Sequence, residues 1–320
     1  MVVNCLSSWD TEYSADTVEW CTQPKYNDVF AVGTYQVDND PNSSKFDGQS
    51  QRKGRLYLGE FKDEIDIKQT IETPAILDLK WSPNNQGALA AVNASGQLTI
   101  YSLKENISLE DAKSFNIDGN DLLILSLAWK HDRIALSDSG GYITVVSSDQ
   151  LEPIAHWKSH DFEAWITTFH SFDSNLIFSG GDDLKLKGYD LRTGTHTFVC
   201  KEHSAGVTSL LSHPNDEYKL FSGSYDEKLR EWDIRKMKSS INEVHMGGGV
   251  WRIKHNLNSG LLGTACMHNG FQFLLDGKIS DSFMEHESLA YGIDWHESKS
   301  RIGASCSFYD HQLKIWEVLE

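Results

Sequence analysis

Hydrophobic and polar residues alternate in short runs along almost the entire chain. Clusters of Gly, Asn, Asp and Ser separate the runs. Period-2 alternation rich in Val, Ile, Leu and aromatics marks half-buried strands, and the clusters are turn formers. One segment recurs: a tight turn, then an alternating strand with an aromatic or aliphatic residue near its end. Its copies are GRLYLG from Gly54, GQLTIY from Gly96, GYITVV from Gly141, LKLKGY from Leu184, EKLREW from Glu227, GFQFLL from Gly270 and HQLKIW from His311. Successive copies start 42, 45, 43, 43, 43 and 41 residues apart. An outgoing strand (AILDLKWSP, LILSLAWK, AWITTFH, VTSLLSHP, VWRIKHN) and a second strand (GALAAV, RIALS, LIFSG, KLFSG, LLGTAC, RIGASC) precede the copies.

Four short strands in about 40–45 residues is the repeat of a WD40 propeller blade. The pattern therefore predicts an all-β, seven-bladed WD40 β-propeller, residues 1–320 forming one domain. The last unit ends without an outer strand, while VVNCLSSW near the N-terminus has no blade of its own. Residues 1–10 are expected to close the last blade, because an unpaired edge strand invites aggregation. The polar stretch 38–53 is read as a surface loop and 105–121 as a loop-like outer region.

Two units carry a matching set of polar residues. His203, Ser222, Asp226 and Trp232 follow one another at spacings of 19, 4 and 6, and His160, Ser179, Asp183 and Tyr189 repeat them. The set resembles a Ser/His/Asp triad, but it recurs once per blade, whereas an active site occurs once per protein. It is read as a structural hydrogen-bond set linking strands within a blade. The last unit retains Asp310 and Trp316, and the sixth has Asn269 at the Asp position.

Composition narrows the functional classes. The formal charge of −17 opposes binding to phosphate backbones, so no direct nucleic-acid contact is expected. No run of 18 apolar residues occurs, so no membrane span is expected, and the first ten residues do not read as a secretory signal. Cys5, Cys21, Cys200, Cys266 and Cys306 are scattered and odd in number, which fits a reducing, cytoplasmic setting. A closed ring needs no partner strand, so a monomer is expected. Cys266 and His268 form a C-x-H pair without the further ligands a zinc site needs, so no metal is expected.

In a propeller the turns between second and third strands, with the links between blades, gather on one face around the channel. At those positions stand Asp182, Tyr225, His268 and Tyr309, then Glu227 and His311, and in the links Trp165, Trp251, Arg252 and Tyr291. Blades four to seven thus offer acids, aromatics and two histidines, whereas blades two and three offer Ala94 and Ser139. For each aromatic the competing reading is packing between blades.

GGDD (180–183), HSAGVTS (203–209), GSYDEKLREWDIR (223–235), GGGVWRIK (247–254), ACMHNGF (265–271) and CSFYDH (306–311) resemble the diphthine methylesterase family. This is the WD40 family of the diphthamide pathway, also called diphthine methyltransferase. The resemblance is strongest over 155–320 and extends more weakly through VEWCTQP and FAVGTYQV. It implies hydrolysis of the methyl ester of methylated diphthine, a modified histidine of elongation factor 2, to diphthine and methanol. The protein partner is then elongation factor 2, and hydrolysis needs no cofactor.

The residues fit such a substrate. Diphthine carries a trimethylammonium group, which aromatic faces and carboxylates attract. Tyr225, Tyr309, Trp251, Trp165 and Tyr291, with Asp182 and Glu227, are the expected binding residues. For ester cleavage, His268 is expected as general base or nucleophile, with Arg252, His311 or the amides of Gly247 to Gly249 facing the oxyanion. Cys266 is the weaker candidate nucleophile. A non-catalytic adaptor, or a reader of a methylated peptide, would use the same face and tolerate loss of His268.

Overall fold

The computed structural model describes residues 2–37, 52–84, 87–119 and 121–319. These form seven four-stranded antiparallel sheets, each ordered from an inner strand outwards. The inner strands are Ser14–Trp20, Ile76–Trp81, Ile124–Lys130, Ile166–Phe169, Val207–Ser212, Arg252–His255 and Ala290–Trp295 in blades one to seven. Apart from one 3-10 turn, Pro24–Tyr26, the named elements are strands.

The seventh sheet takes its outer strand from the other end of the chain. Val2–Asp10 pairs antiparallel with Gln312–Leu319, with Trp9 opposite Leu313 and Cys5 opposite Trp316. The Thr11 amide extends the clasp by donating to the His311 carbonyl at 2.8 Å. The stretch expected to be a loop at 38–53 lies outside the described residues except Arg52 and Lys53, which already belong to the strand Arg52–Phe61. The 105–121 reading is corrected: Leu109–Asn116 is the outer strand of blade two. Its exposed face is almost wholly polar, so its alternation carries little hydrophobic contrast.

The core is divided among the junctions between blades. Among the described residues seven buried clusters each join two neighbouring sheets, as Leu56 and Ile76 join blades one and two. Glycine permits the closest approach: a Cβ at Gly180 would lie 2.5 Å from Val207 Cγ1, and one at Gly223 2.5 Å from Val250 Cγ1. The turn that opens the recurring sequence segment has a left-handed residue in six blades. It is Gly96, Gly141 and Gly270 in three, and Leu184, Glu227 and His311 in the others.

The polar sets hold blades together internally. In blade five His203 Nε2 lies 3.1 Å from Ser222 Oγ, which also accepts from Trp232 Nε1 at 2.7 Å. In blade four His160 bridges Ser179 Oγ (2.9 Å) and Asp183 (2.7 Å). Blade seven has a complete set as well. His286 Nε2 meets Ser305 Oγ at 2.8 Å, Trp316 Nε1 donates to the same oxygen at 3.0 Å, and His286 Nδ1 is 3.8 Å from Asp310. His286 to Ser305 is again 19 residues, but Ser305 to Asp310 is 5 rather than 4, so spacing alone hid it.

Candidate functional site

One position of each inner strand builds the mouth of the channel. The pairing of first and second strands skips a residue at Asp16, Leu77, Leu125, Thr208 and Tyr291. Such a bulge re-aims one side chain out of the ladder. In blades four and six, Trp165 and Trp251 occupy the same place just ahead of the strand. Six of the seven, Tyr291 being the exception, line one small cavity together with Ser126, Ile166 and Arg252. A larger hollow of about 320 Å³ lies between blades five and six beside His213 and His255, and none of the residues expected from sequence line it.

Around this mouth the aromatic side chains converge. Ring centroids of Trp165, Tyr225 and Trp251 form a triangle with sides of 5.7, 5.8 and 6.1 Å. Tyr291 stacks on Trp251 at 4.8 Å, and Phe308 follows at 5.0 Å from Tyr291. Tyr309 is 70% exposed and its ring contacts only Phe308 among the described residues. The extra residue between Ser305 and Asp310 explains this: counted from the serine, Phe308 takes the place that Tyr225 has in blade five. Phe308 was therefore missed by counting back from the turn Asp.

Two carboxylates flank the triangle. Asp182 accepts from Trp165 Nε1 at 3.2 Å. A Cβ on Gly206 would lie 2.6 Å from Asp182 Oδ1 and 3.2 Å from Tyr225 Cδ2, so glycine is needed for that approach. Asp16 is the other and comes from blade one. Burial, then Asp182 and Asp16, push the Tyr225 phenol upward; burial and then Asp16 act likewise on Tyr291. Both phenols thus stay protonated at neutral pH.

Below the mouth the channel is ionic. Arg252 is buried and reaches Asp78 at 3.2 Å. Glu19 takes Lys254 at 2.7 Å and pairs closely with Lys80, and Asp294 lies 3.1 Å from Lys254. Asp78 also accepts from the Leu127 amide at 3.0 Å. Burial works against the Asp78 carboxylate, but Arg252 and Lys80 outweigh it and hold it below the ordinary range.

The remaining expected residues lie apart. Glu227 faces His245 of the outer strand of its own blade at 3.3 Å. The His268 side chain is exposed and has no hydrogen bond, ion pair or ring contact among the described residues. The half-buried His311 imidazole likewise has no hydrogen bond, ion pair or ring contact among the described residues, although the His311 carbonyl accepts from Thr11 Oγ1 at 3.0 Å. Cys266 is wholly buried, its thiol pushed up to about 12 by burial, so it cannot supply a thiolate. Of the glycine amides, that of Gly247 donates to His245 Nδ1 at 3.2 Å.

Comparison with known proteins places this architecture. A WD domain, G-beta repeat model matches residues 194–233, from the outer strand of blade four through the third strand of blade five. The chain superimposes over 98% of its length on a chain of the crystal structure of the mitotic checkpoint complex, covering 91% of it with a TM-score of 0.77. At 16% identity that likeness is one of fold alone. The diphthine methyltransferase of Mus musculus is 36% identical, the match covering 91% of this chain and 69% of that protein. That of Homo sapiens is 35% identical (91% and 74%), and that of Schizosaccharomyces pombe 31% identical (96% and 95%). With relatives this similar along most of both chains, the protein belongs to the diphthine methyltransferase family.

Proposed function

We propose that the protein hydrolyses the methyl ester of methylated diphthine on elongation factor 2, releasing diphthine and methanol. The observation that carries this reading is the triangle of Trp165, Tyr225 and Trp251, bordered by Asp182 and Asp16 at the open end of the channel. Aromatic faces beside carboxylates receive a quaternary ammonium, each ring contributing about 0.5–2 kcal/mol depending on desolvation. Arg252, on the wall of the same cavity, supplies positive charge to a developing oxyanion. The relatives are named for methyl transfer, whereas this reading needs only water as co-reactant. The five cysteines are free thiols, which suits the cytoplasm, where we place the reaction.

A second reading has one observation in its favour: neither His268 nor His311 contacts the aromatic cluster. A reader of a methylated side chain needs the cluster and no base. Mass spectrometry of the modified peptide separates these readings. Purified protein mixed with elongation factor 2 carrying methylated diphthine should lower the peptide mass by one methylene. A gain of one methylene on the acid form, with S-adenosylmethionine added, would identify a transferase instead. Binding without any mass change would identify a reader.

A further inference from the structure

We infer that Asp16, the one acid in the seven-residue ring at the channel mouth, is the general base of the ester hydrolysis proposed above, an inference that rests on that reading. Among the described residues three other acids line the channel, and each is committed. Asp78 is held by Arg252, Lys80 and the Leu127 amide, Glu19 by Lys80 and Lys254, and Asp294 by Lys254 and the Trp20 amide. Asp16 is 4% exposed, yet its carboxylate makes no hydrogen bond or close ion pair among the described residues. It lines the cavity walled by Trp165, Trp251 and Arg252. An enclosed carboxylate with no protein partner is costly unless water or a ligand meets it, and one that opens onto a cavity between a cation trap and a guanidinium is placed as a reacting group requires.

The groups around it tune it to this task. Arg252 of blade six and Asp78 of blade two act on it with opposite sign. Tyr225 of blade five and Tyr291 and Cys306 of blade seven in turn feel its charge. Burial dominates, then Arg252 opposes and Asp78 reinforces, leaving the carboxyl pushed up to about 8. A base titrating near the working pH is the efficient one.

In the step, a water oxygen bonds to the ester carbonyl carbon while Asp16 accepts one of its protons. The carbonyl π pair moves to oxygen, giving a tetrahedral oxyanion facing Arg252. When the carbonyl re-forms, the bond to the methoxy oxygen breaks and the leaving methoxide takes the proton back from Asp16, departing as methanol. The product acid then loses its proton to solvent, and the Asp16 carboxylate is restored.

The experiment is the mass-resolved hydrolysis assay with Asp16→Asn beside the wild type. Asp16→Asn should lower kcat by about 10²–10⁴-fold, beyond whatever rise in KM the lost negative charge beside the cation brings. In the wild type, kcat/KM should fall as pH drops below about 8, because only the carboxylate form accepts the proton, and residual turnover of Asp16→Asn should lack that limb. Wild-type turnover by Asp16→Asn overturns the inference while leaving the esterase standing. A raised KM at unchanged kcat also overturns it, assigning Asp16 to cation binding. An inactive wild type sinks the parent reading and this one with it. Should Asp16→Asn fail to fold, the wild-type profile decides, since a flat kcat/KM between about pH 6 and 9 is incompatible with this base.

Discussion

Ser305→Ala isolates what holds the closing blade. Ser305 is wholly buried, and its hydroxyl oxygen accepts from Trp316 Nε1 at 3.0 Å while meeting His286 Nε2 at 2.8 Å. The substitution leaves the buried indole N–H and one buried ring nitrogen without partners. Each orphaned group costs about 1–3 kcal/mol, so the expected loss is about 3 kcal/mol. The His286 ring should keep its place, because its other nitrogen remains 2.7 Å from Ser307 Oγ. Urea denaturation followed by tryptophan fluorescence measures the loss. A double-mutant cycle tests its origin: in a Trp316→Phe background the indole donor is already gone, so Ser305→Ala should cost about 1–2 kcal/mol less. A loss below about 1 kcal/mol, or the same loss in both backgrounds, would refute the reasoning.

Three further outcomes are expected. Trp251→Ala removes the ring shared by Trp165, Tyr225 and Tyr291, and should weaken binding of a quaternary ammonium probe by about 30-fold, equivalent to about 2 kcal/mol; calorimetric affinities within twofold of wild type would contradict this. Gly249→Ala places a methyl 2.8 Å from Met267 Sδ and 3.2 Å from Tyr225 Cδ1, and should weaken the same binding several-fold with little change in the thermal midpoint. Burial raises the carboxyls of Asp183, Asp226 and Asp310, but His160 beside Asp183, His203 and Arg230 beside Asp226, and His286 and Ser307 beside Asp310 outweigh it and hold them well below the usual range. Their folded pKa values lie below the unfolded ones, so the stability they contribute is present above about pH 4 and lost as pH falls through the folded values. Urea midpoints taken from about pH 6 downwards should therefore drop, and Asp226→Asn should be less stable at pH 6 with a shallower acid slope.

The blades were legible in sequence because their outward and inward residues contrast and their turns recur at near-constant spacing. The polar sets of blades four and five were legible for the same reason, and the blade-seven set escaped through one added residue before Asp310. Leu109–Asn116 escaped because an outer strand with mostly solvated side chains has little hydrophobic contrast. Trp165, Tyr225, Trp251 and Tyr291 are expected from their places in turns and links, and the structure joins their rings in one cluster, Tyr291 through Trp251. Asp16 was invisible to the same reasoning. It lies in a strand whose seven residues are all buried, and a bulge that alternation cannot register turns its side chain into the channel.

The clasp between Val2–Asp10 and Gln312–Leu319 has a consequence for how the protein is made. The hydrogen bond from Thr11 to His311 spans 300 positions of chain, and closing a loop of that length costs about 5 kcal/mol plus a constant in chain entropy. On a ribosome the first strand emerges early and must wait for the last before its sheet exists. Asp16, from the first blade, and Tyr291, from the seventh, become neighbours only when those two blades meet. A nascent chain therefore carries the aromatic residues before the cluster's surroundings are complete, and the ring of inner strands closes when the first and seventh blades meet.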